Sequence, residues 1–249
     1  MKLDEYCKQI ELWLENKLKE TNCSGYVLGI SGGIDSALVA AIAKNAVGKK
    51  LFGVILPCES HEEDANDAIT LLKQFDIDYT TVDLTETYHV LKENLIKQAK
   101  EANFELTPMS LANVKVRLRM VTLYAFAQAR NSLVLGTDNM DESYTGYFTK
   151  YGDGGVDLLP IVHLTKGEVY LASKLYNVPQ VILDRQPSAG LFEGQTDEGE
   201  MGVSYNELDR YLLGDKTINP KKIERIEHLH KVSEHKRTPI PSPNKFERE

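Results

Sequence analysis

Cysteine is scarce in this chain of 249 residues: Cys7, Cys23 and Cys58 stand far apart, with no CxxC spacing. That excludes a disulfide framework and a zinc site of ordinary ligand spacing, and predicts reduced thiols in a core or on the surface. No run approaches the ~18 consecutive apolar residues of a membrane span. The opening MKLDEYCKQI mixes charges of both signs and lacks the apolar h-region of a secretory signal. The expectation is a soluble, cytoplasmic protein. Positive charge is also short, since 29 Lys and Arg face 37 Asp and Glu for a formal net charge of −8. A general nucleic-acid binder is excluded, because phosphate backbones are held by summed Lys and Arg. Any anionic ligand must meet local positive groups.

Internal repeats and low-complexity tracts are absent as well. What is present is a 42% hydrophobic composition, enough for one large core. Leu3 to Lys19 places Leu3, Tyr6, Ile10, Trp13, Leu14 and Leu18 at the spacing of an amphipathic helix. Four β-rich runs follow at 25–31, 51–57, 78–84 and 132–137, and helical periodicity follows the first three at 34–46, 62–75 and 85–101. Such alternation predicts an α/β fold, a doubly wound parallel sheet with helices on both faces, in one domain over 1–249. Ligands of such sheets sit at the carboxyl ends of the strands. SGGIDS, LPCES and GTDNMDE then share one rim. The Gly- and Tyr-rich stretch 145–157 and the Gly- and acid-rich stretch 187–202 read as long loops.

The stretch VLGISGGIDSALVA, Val27 to Ala40, carries the chemistry. A strand that ends in Ser31-Gly32-Gly33 and opens a helix near Asp35 aims several N–H groups at one spot, backed by the positive end of the helix dipole. The result is a phosphate cradle. Asp35 would repel a phosphate unless a cation lay between them, so Mg²⁺ is expected there. The plainer alternative is an ordinary tight turn with an acid in the first helical turn, where acids are favoured anyway. No GK[ST] follows the glycines, so the loop is not a Walker A sequence.

The loop resembles the SGGxDS signature of the N-type ATP pyrophosphatases, which cleave ATP between the α and β phosphates and adenylate a substrate. NVKVRLRM (113–120), VLGTDNMDESYTGYFTKYGDGGVDLLP (134–160), LTKGEVY (164–170), PSAGLFEGQTDEGEMG (187–202) and EHKR (234–237) resemble, in order, the blocks of bacterial ammonia-dependent NAD⁺ synthetase. The resemblance implies a Rossmann-like fold and a ligase that converts deamido-NAD⁺ into NAD⁺ with ATP and ammonia through an acyl-adenylate. With no room for a glutaminase domain, the expected nitrogen source is free ammonia. Rival readings are another adenylating ligase, such as a GMP synthetase ATP-pyrophosphatase domain, and a regulatory module that binds ATP without turnover. FTKYGDGG is unexpected in the first, and convergent acids and cations are unexpected in the second.

By the same resemblance, Gly29, Ile30, Ser31, Gly32, Gly33, Ile34, Asp35 and Ser36 would bind ATP, together with Thr137, Lys166 and Ser188. Asp35 and Glu142 would hold Mg²⁺, and Arg117, Lys150, Asp157, His235 and Lys236 would contact deamido-NAD⁺. Asp35, Lys150, Asp157 and Lys166 are the catalytic candidates. Asn139 stands where such enzymes often have His; an amide cannot titrate near neutrality, so no acid/base role is expected of it.

A homodimer and a mobile lid over 187–202 are also expected. The helix 111–129 would carry two apolar stripes, one of Leu111, Val114, Leu118, Val121 and Ala125, the other of Val116, Met120, Leu123, Tyr124 and Ala127. The second is expected to meet its symmetry mate.

Overall fold

The computed structural model describes residues 1–185 and 196–248. Four parallel strands form its sheet: β1 (Gly25–Gly29), β2 (Leu51–Ile55), β3 (Asp78–Thr81) and β4 (Ser132–Leu135), in the order β3-β2-β1-β4. Register is set by pairs such as Val27 with Phe52 and Val27 with Val134. Each strand stops two or three residues short of its apolar run, because the residues beyond bend into the loops that build the site.

Helix α1 (Leu3–Thr21) precedes β1, and α2 (Ile34–Val47), α3 (Glu62–Gln74) and α4 (Thr85–Glu101) follow the first three strands. Then α5 (Pro108–Ala129) leads into β4, and α6 (Met140–Thr145), α7 (Lys166–Leu175), α8 (Gln180–Leu183), α9 (Asp197–Met201), α10 (Tyr205–Leu212) and α11 (Pro220–Val232) complete the chain.

Alternation along each strand feeds two cores, as a pleated strand requires. Tyr26, Leu28, Leu51 and Leu135 point into a core with α1, α2, α3 and α7, where Leu14, Leu38, Leu71 and Val169 are buried. Val27, Val54 and Val134 point the other way, toward Tyr88 of α4 and Ala127 of α5. Helices therefore cover both faces. Each fully buried Leu or Val contributes roughly 1.5–3 kcal/mol over its exposed state. A third cluster of Met201, Tyr205, Leu208 and Ile226 seats α9, α10 and α11 beside α6 through Tyr144 and Tyr147. The strand order reverses at β1, with β2 on one side and β4 on the other. A crevice opens at such a switch point, outside the carboxyl ends of the two strands.

The two stripes of α5 do not part cleanly between core and outside. Val116 and Ala127 of the second stripe are buried, and Val114 and Leu118 of the first pack on the same core as Leu123 and Tyr124 of the second, whereas Val121 of the first is 59% exposed. Arg119 anchors the helix: its guanidinium donates to the Leu56 carbonyl at 3.1 Å and to Ser60 Oγ at 3.1 Å, holding its own side of the helix inward. Residues 187–195 of the expected lid lie outside the described residues. Its remainder, 196–202, forms α9, whose Met201 is buried.

Candidate active site

The loop after β1 is built to leave N–H groups exposed at a helix mouth. Ser31 Oγ accepts from Gly33 N at 3.2 Å and lies 3.1 Å from Ser36 Oγ, which itself donates to the Gly33 carbonyl at 3.0 Å. The two hydroxyls tie the turn to the first turn of α2. The first helical bond runs from Ala37 N to the Gly33 carbonyl at 3.1 Å, so the N–H groups of Ile34, Asp35 and Ser36 open the helix toward the crevice. Gly32 has φ +81°, and a Cβ there would stand 2.5 Å from the Asp64 carbonyl oxygen. Conformation and contact both demand glycine. Gly29 ends β1, and Ile30 continues its pairing by donating to the Val54 carbonyl at 2.9 Å.

Across the switch point, β4 runs into Thr137, Asp138 and Asn139, and Asn139 caps α6 by accepting from Glu142 N at 3.0 Å. Asn139 Nδ2 also donates to Asp35 Oδ1 at 2.9 Å, joining the two strand-end loops. Lys166, the first residue of α7, sends its ammonium between the two acids, 2.6 Å from Asp35 Oδ2 and 3.2 Å from Glu142 Oε1. Tyr205 closes the far side. Its hydroxyl lies 3.3 Å from Glu142 Oε1 and 2.9 Å from Asp197 Oδ2, and its ring centre lies 4.8 Å from the lysine nitrogen.

Charges in this enclosure are displaced from their usual balance. Burial pushes the Glu142 carboxyl up to about 7; Lys166 pulls it back, and Asp35 adds to the rise. Burial works against the charge on Lys166, yet Asp35 and Glu142 outweigh it and hold the ammonium above its ordinary range. Asp138 is raised well above a normal carboxyl by burial, then by the nearby charges of Asp153, Glu142 and Asp35, with Lys236 opposing. Perturbed groups gathered in a crevice mark a candidate functional site.

Asp35 and Glu142 fit a divalent cation, since one ammonium already satisfies an oxygen of each. No cluster of three or more His, Cys, Asp or Glu suited to a metal occurs among the described residues. Mg²⁺ commonly takes one or two carboxylates and completes its shell with water and substrate phosphates.

The residues expected to meet deamido-NAD⁺ fall into two sets. Arg117 of α5 donates to the Lys150 carbonyl at 3.2 Å, and Lys150 Nζ donates to the His235 carbonyl at 2.6 Å, so these three are linked at the surface. Lys236 turns inward and pins the 146–148 turn through the Gly146 and Phe148 carbonyls at 2.7 and 2.5 Å. Burial lowers its pKa. Asp157 accepts from Val134 N at 2.8 Å and from the Tyr124 hydroxyl at 3.1 Å, bracing β4 against α5. Ser188 lies outside the described residues. Tyr205 and Asp197 are site residues that sequence reasoning missed, for they join Glu142 and each other only through the packing of α10 and α9.

A parallel sheet with a glycine-rich loop at its switch point and paired acids opposite is the arrangement of a nucleotide-binding α/β enzyme. The chain belongs to the NAD synthase family, whose model matches residues 6–240. It is 45% identical to the NH₃-dependent NAD⁺ synthetase of Mesoplasma florum over all of both chains. To that of Alkaliphilus oremlandii it is 48% identical, over 94% of this chain and 95% of the relative. A solved structure described as the NMN synthetase of Francisella tularensis superposes with a TM-score of 0.90 at 40% identity, over 98% of this chain and all of the other.

Proposed function

We infer that this site serves the reaction of the NH₃-dependent NAD⁺ synthetases. The chain is a ligase that amidates deamido-NAD⁺ with ammonia to give NAD⁺, AMP and pyrophosphate, the last step of NAD⁺ biosynthesis. The observation that carries the reading is the convergence of Asp35 and Glu142 on the Lys166 ammonium beside the N–H groups that open α2.

A nicotinate carboxylate is a poor electrophile. Its oxygen attacks the α-phosphorus of ATP, the bond to pyrophosphate breaks, and an acyl-adenylate results. Ammonia nitrogen then attacks the carbonyl carbon, the bond to AMP breaks, and one proton leaves. In this chain the N–H groups of Ile34, Asp35 and Ser36 and the hydroxyl of Ser31 receive the phosphates. Lys166 supplies a fixed positive charge whose attraction grows as negative charge develops, and Thr137 follows the end of β4 on the same rim. Asp35 and Glu142 would hold Mg²⁺, which when bound neutralises phosphate charge and orients the leaving pyrophosphate. Arg117 and Lys150 offer a cationic edge for the dinucleotide with His235 beside them, and Asp157 keeps β4 in place beneath it. Residues 1–249 act as one domain. Cytoplasmic residence fits its free cysteines, and no described helix is long and apolar enough to cross a membrane.

A homodimer completes the reading. The outward face of α5 exposes Val121 beside a groove of about 590 Å³ lined by Met120, Tyr124, Ala125 and Gln128. Val90, Ile96 and Phe104 on and after α4, and Met109 of α5, are also exposed. An open groove beside an exposed Val121 supports a partner on this face of α5, and Arg117, one turn before Val121, lies on the same side.

Nicotinate mononucleotide is the second acid worth assaying, on the strength of the Francisella neighbour. Purified protein with Mg-ATP and ammonium should form NAD⁺ from deamido-NAD⁺ at a higher kcat/KM than NMN from the mononucleotide. The reverse preference would reassign the acid substrate.

A further inference from the structure

Helix α7 starts under more restraint than a helix needs. Thr165 and Glu168 already form a capping box, with Thr165 Oγ1 accepting from Glu168 N at 3.3 Å and Glu168 returning to Thr165 N at 2.9 Å. Two further carboxylates arrive from other helices. Asp141 of α6 accepts from Lys166 N at 2.8 Å, and Asp209 of α10 accepts from Gly167 N at 2.9 Å. The remaining oxygens, Asp141 Oδ1 and Asp209 Oδ1, are buried and have no other hydrogen-bond partner among the described residues. Gly167 is part of the device, because a Cβ there would stand 2.5 Å from Asp209 Oδ2.

Each of these acids has a neighbour on its own helix that grips the other end of Lys166. Asp141 holds the lysine's backbone N–H while the adjacent Glu142 meets its ammonium. Asp209 holds the next N–H, while Tyr205, one turn earlier on the same face of α10, lies against the ammonium and donates toward Glu142. The lysine is thus fixed at head and base from both sides.

We propose that Asp209 is a positioning residue for Lys166: it locks the start of α7 against α10 so that the ammonium is aimed at the phosphates of ATP. The inference rests on the proposed ATP chemistry of this site. Asp209 accepts from the Gly167 N–H and not from the ammonium. It acts through Gly167 and the first turn of α7.

The test is a double-mutant cycle of Asp209→Ala with Lys166→Ala, read on AMP release and, separately, on Mg-ATP affinity by calorimetry. Asp209→Ala alone should lower kcat by about 10-fold or more with KM for ATP within about threefold, the pattern of a misplaced transition-state contact. Asp209→Asn, whose amide oxygen still accepts from Gly167, should retain wild-type kcat within about threefold. In the Lys166→Ala background Asp209→Ala should change neither readout. Additive losses across the cycle, or equal losses for Ala and Asn, would overturn the positioning role. If the wild-type protein released no AMP from deamido-NAD⁺ the parent reaction would be at fault, and the same cycle read on AMP release from nicotinate mononucleotide would still decide Asp209.

Discussion

At the scale of single residues, Asp35 carries the most. One oxygen accepts from Asn139 and the other from Lys166, so Asp35→Asn preserves shape while deleting the charge that a divalent cation needs. We predict a fall in kcat of ~10²-fold or more at saturating Mg²⁺, with an unchanged circular dichroism spectrum. An unchanged rate would remove the cation role. Gly32→Ala should act differently, on stability and on ATP binding together, because φ +81° and a 2.5 Å approach to the Asp64 carbonyl both oppose a side chain. Urea unfolding should register a loss of about 1–3 kcal/mol. That the SGGIDS loop and Glu142 share one rim was legible in the sequence because each follows a strand, and Asp35 and Glu142 do meet one ammonium there. Tyr205 and Asp197 were not. Tyr205 reaches Glu142 across 63 positions, and no local period connects a tyrosine after a loop to an acid on another helix.

Helices α6, α7 and α10 meet around a carboxyl pair, and the pair makes a prediction about pH. Burial first, then the charge of Asp209, raises Asp141 from 3.8 to about 8. The folded chain therefore keeps a proton that the unfolded chain releases. The stability this group contributes is fully present below its unfolded pKa near 3.8 and is lost as pH rises through about 8. The ligand-free protein should lose thermal stability between about pH 6 and pH 8, and Asp141→Asn, which cannot titrate, should flatten that slope. Equal slopes in both proteins would contradict the assignment. Helix α5 shows what periodicity cannot tell. Two apolar stripes were readable, but the core takes residues of both, and Arg119 ties the helix to the Leu56 carbonyl, a contact with a strand end 63 residues away. Given the observed orientation, Val121→Glu should yield monomers by sedimentation at micromolar concentration, and a dimer that survives the substitution would place the interface elsewhere.

For the molecule as a whole, the layering of sheet and helices was plain from the alternation of apolar runs, and the comparisons agree with it. The layer of α9, α10 and α11 was not read in advance, although it supplies the tyrosine and acids that enclose Lys166. Local amphipathic signals describe a helix and do not say which crevice it roofs. The central claim is a reaction with a fixed stoichiometry and nitrogen source, so one measurement bears on it most directly: product analysis of the purified protein with deamido-NAD⁺ and Mg-ATP, supplied with either ammonium or glutamine. The account predicts NAD⁺, AMP and pyrophosphate in equal amounts with ammonium and a far slower reaction with glutamine. ADP and phosphate in place of AMP and pyrophosphate, or equal rates with the two nitrogen sources in a preparation free of glutaminase, would contradict it.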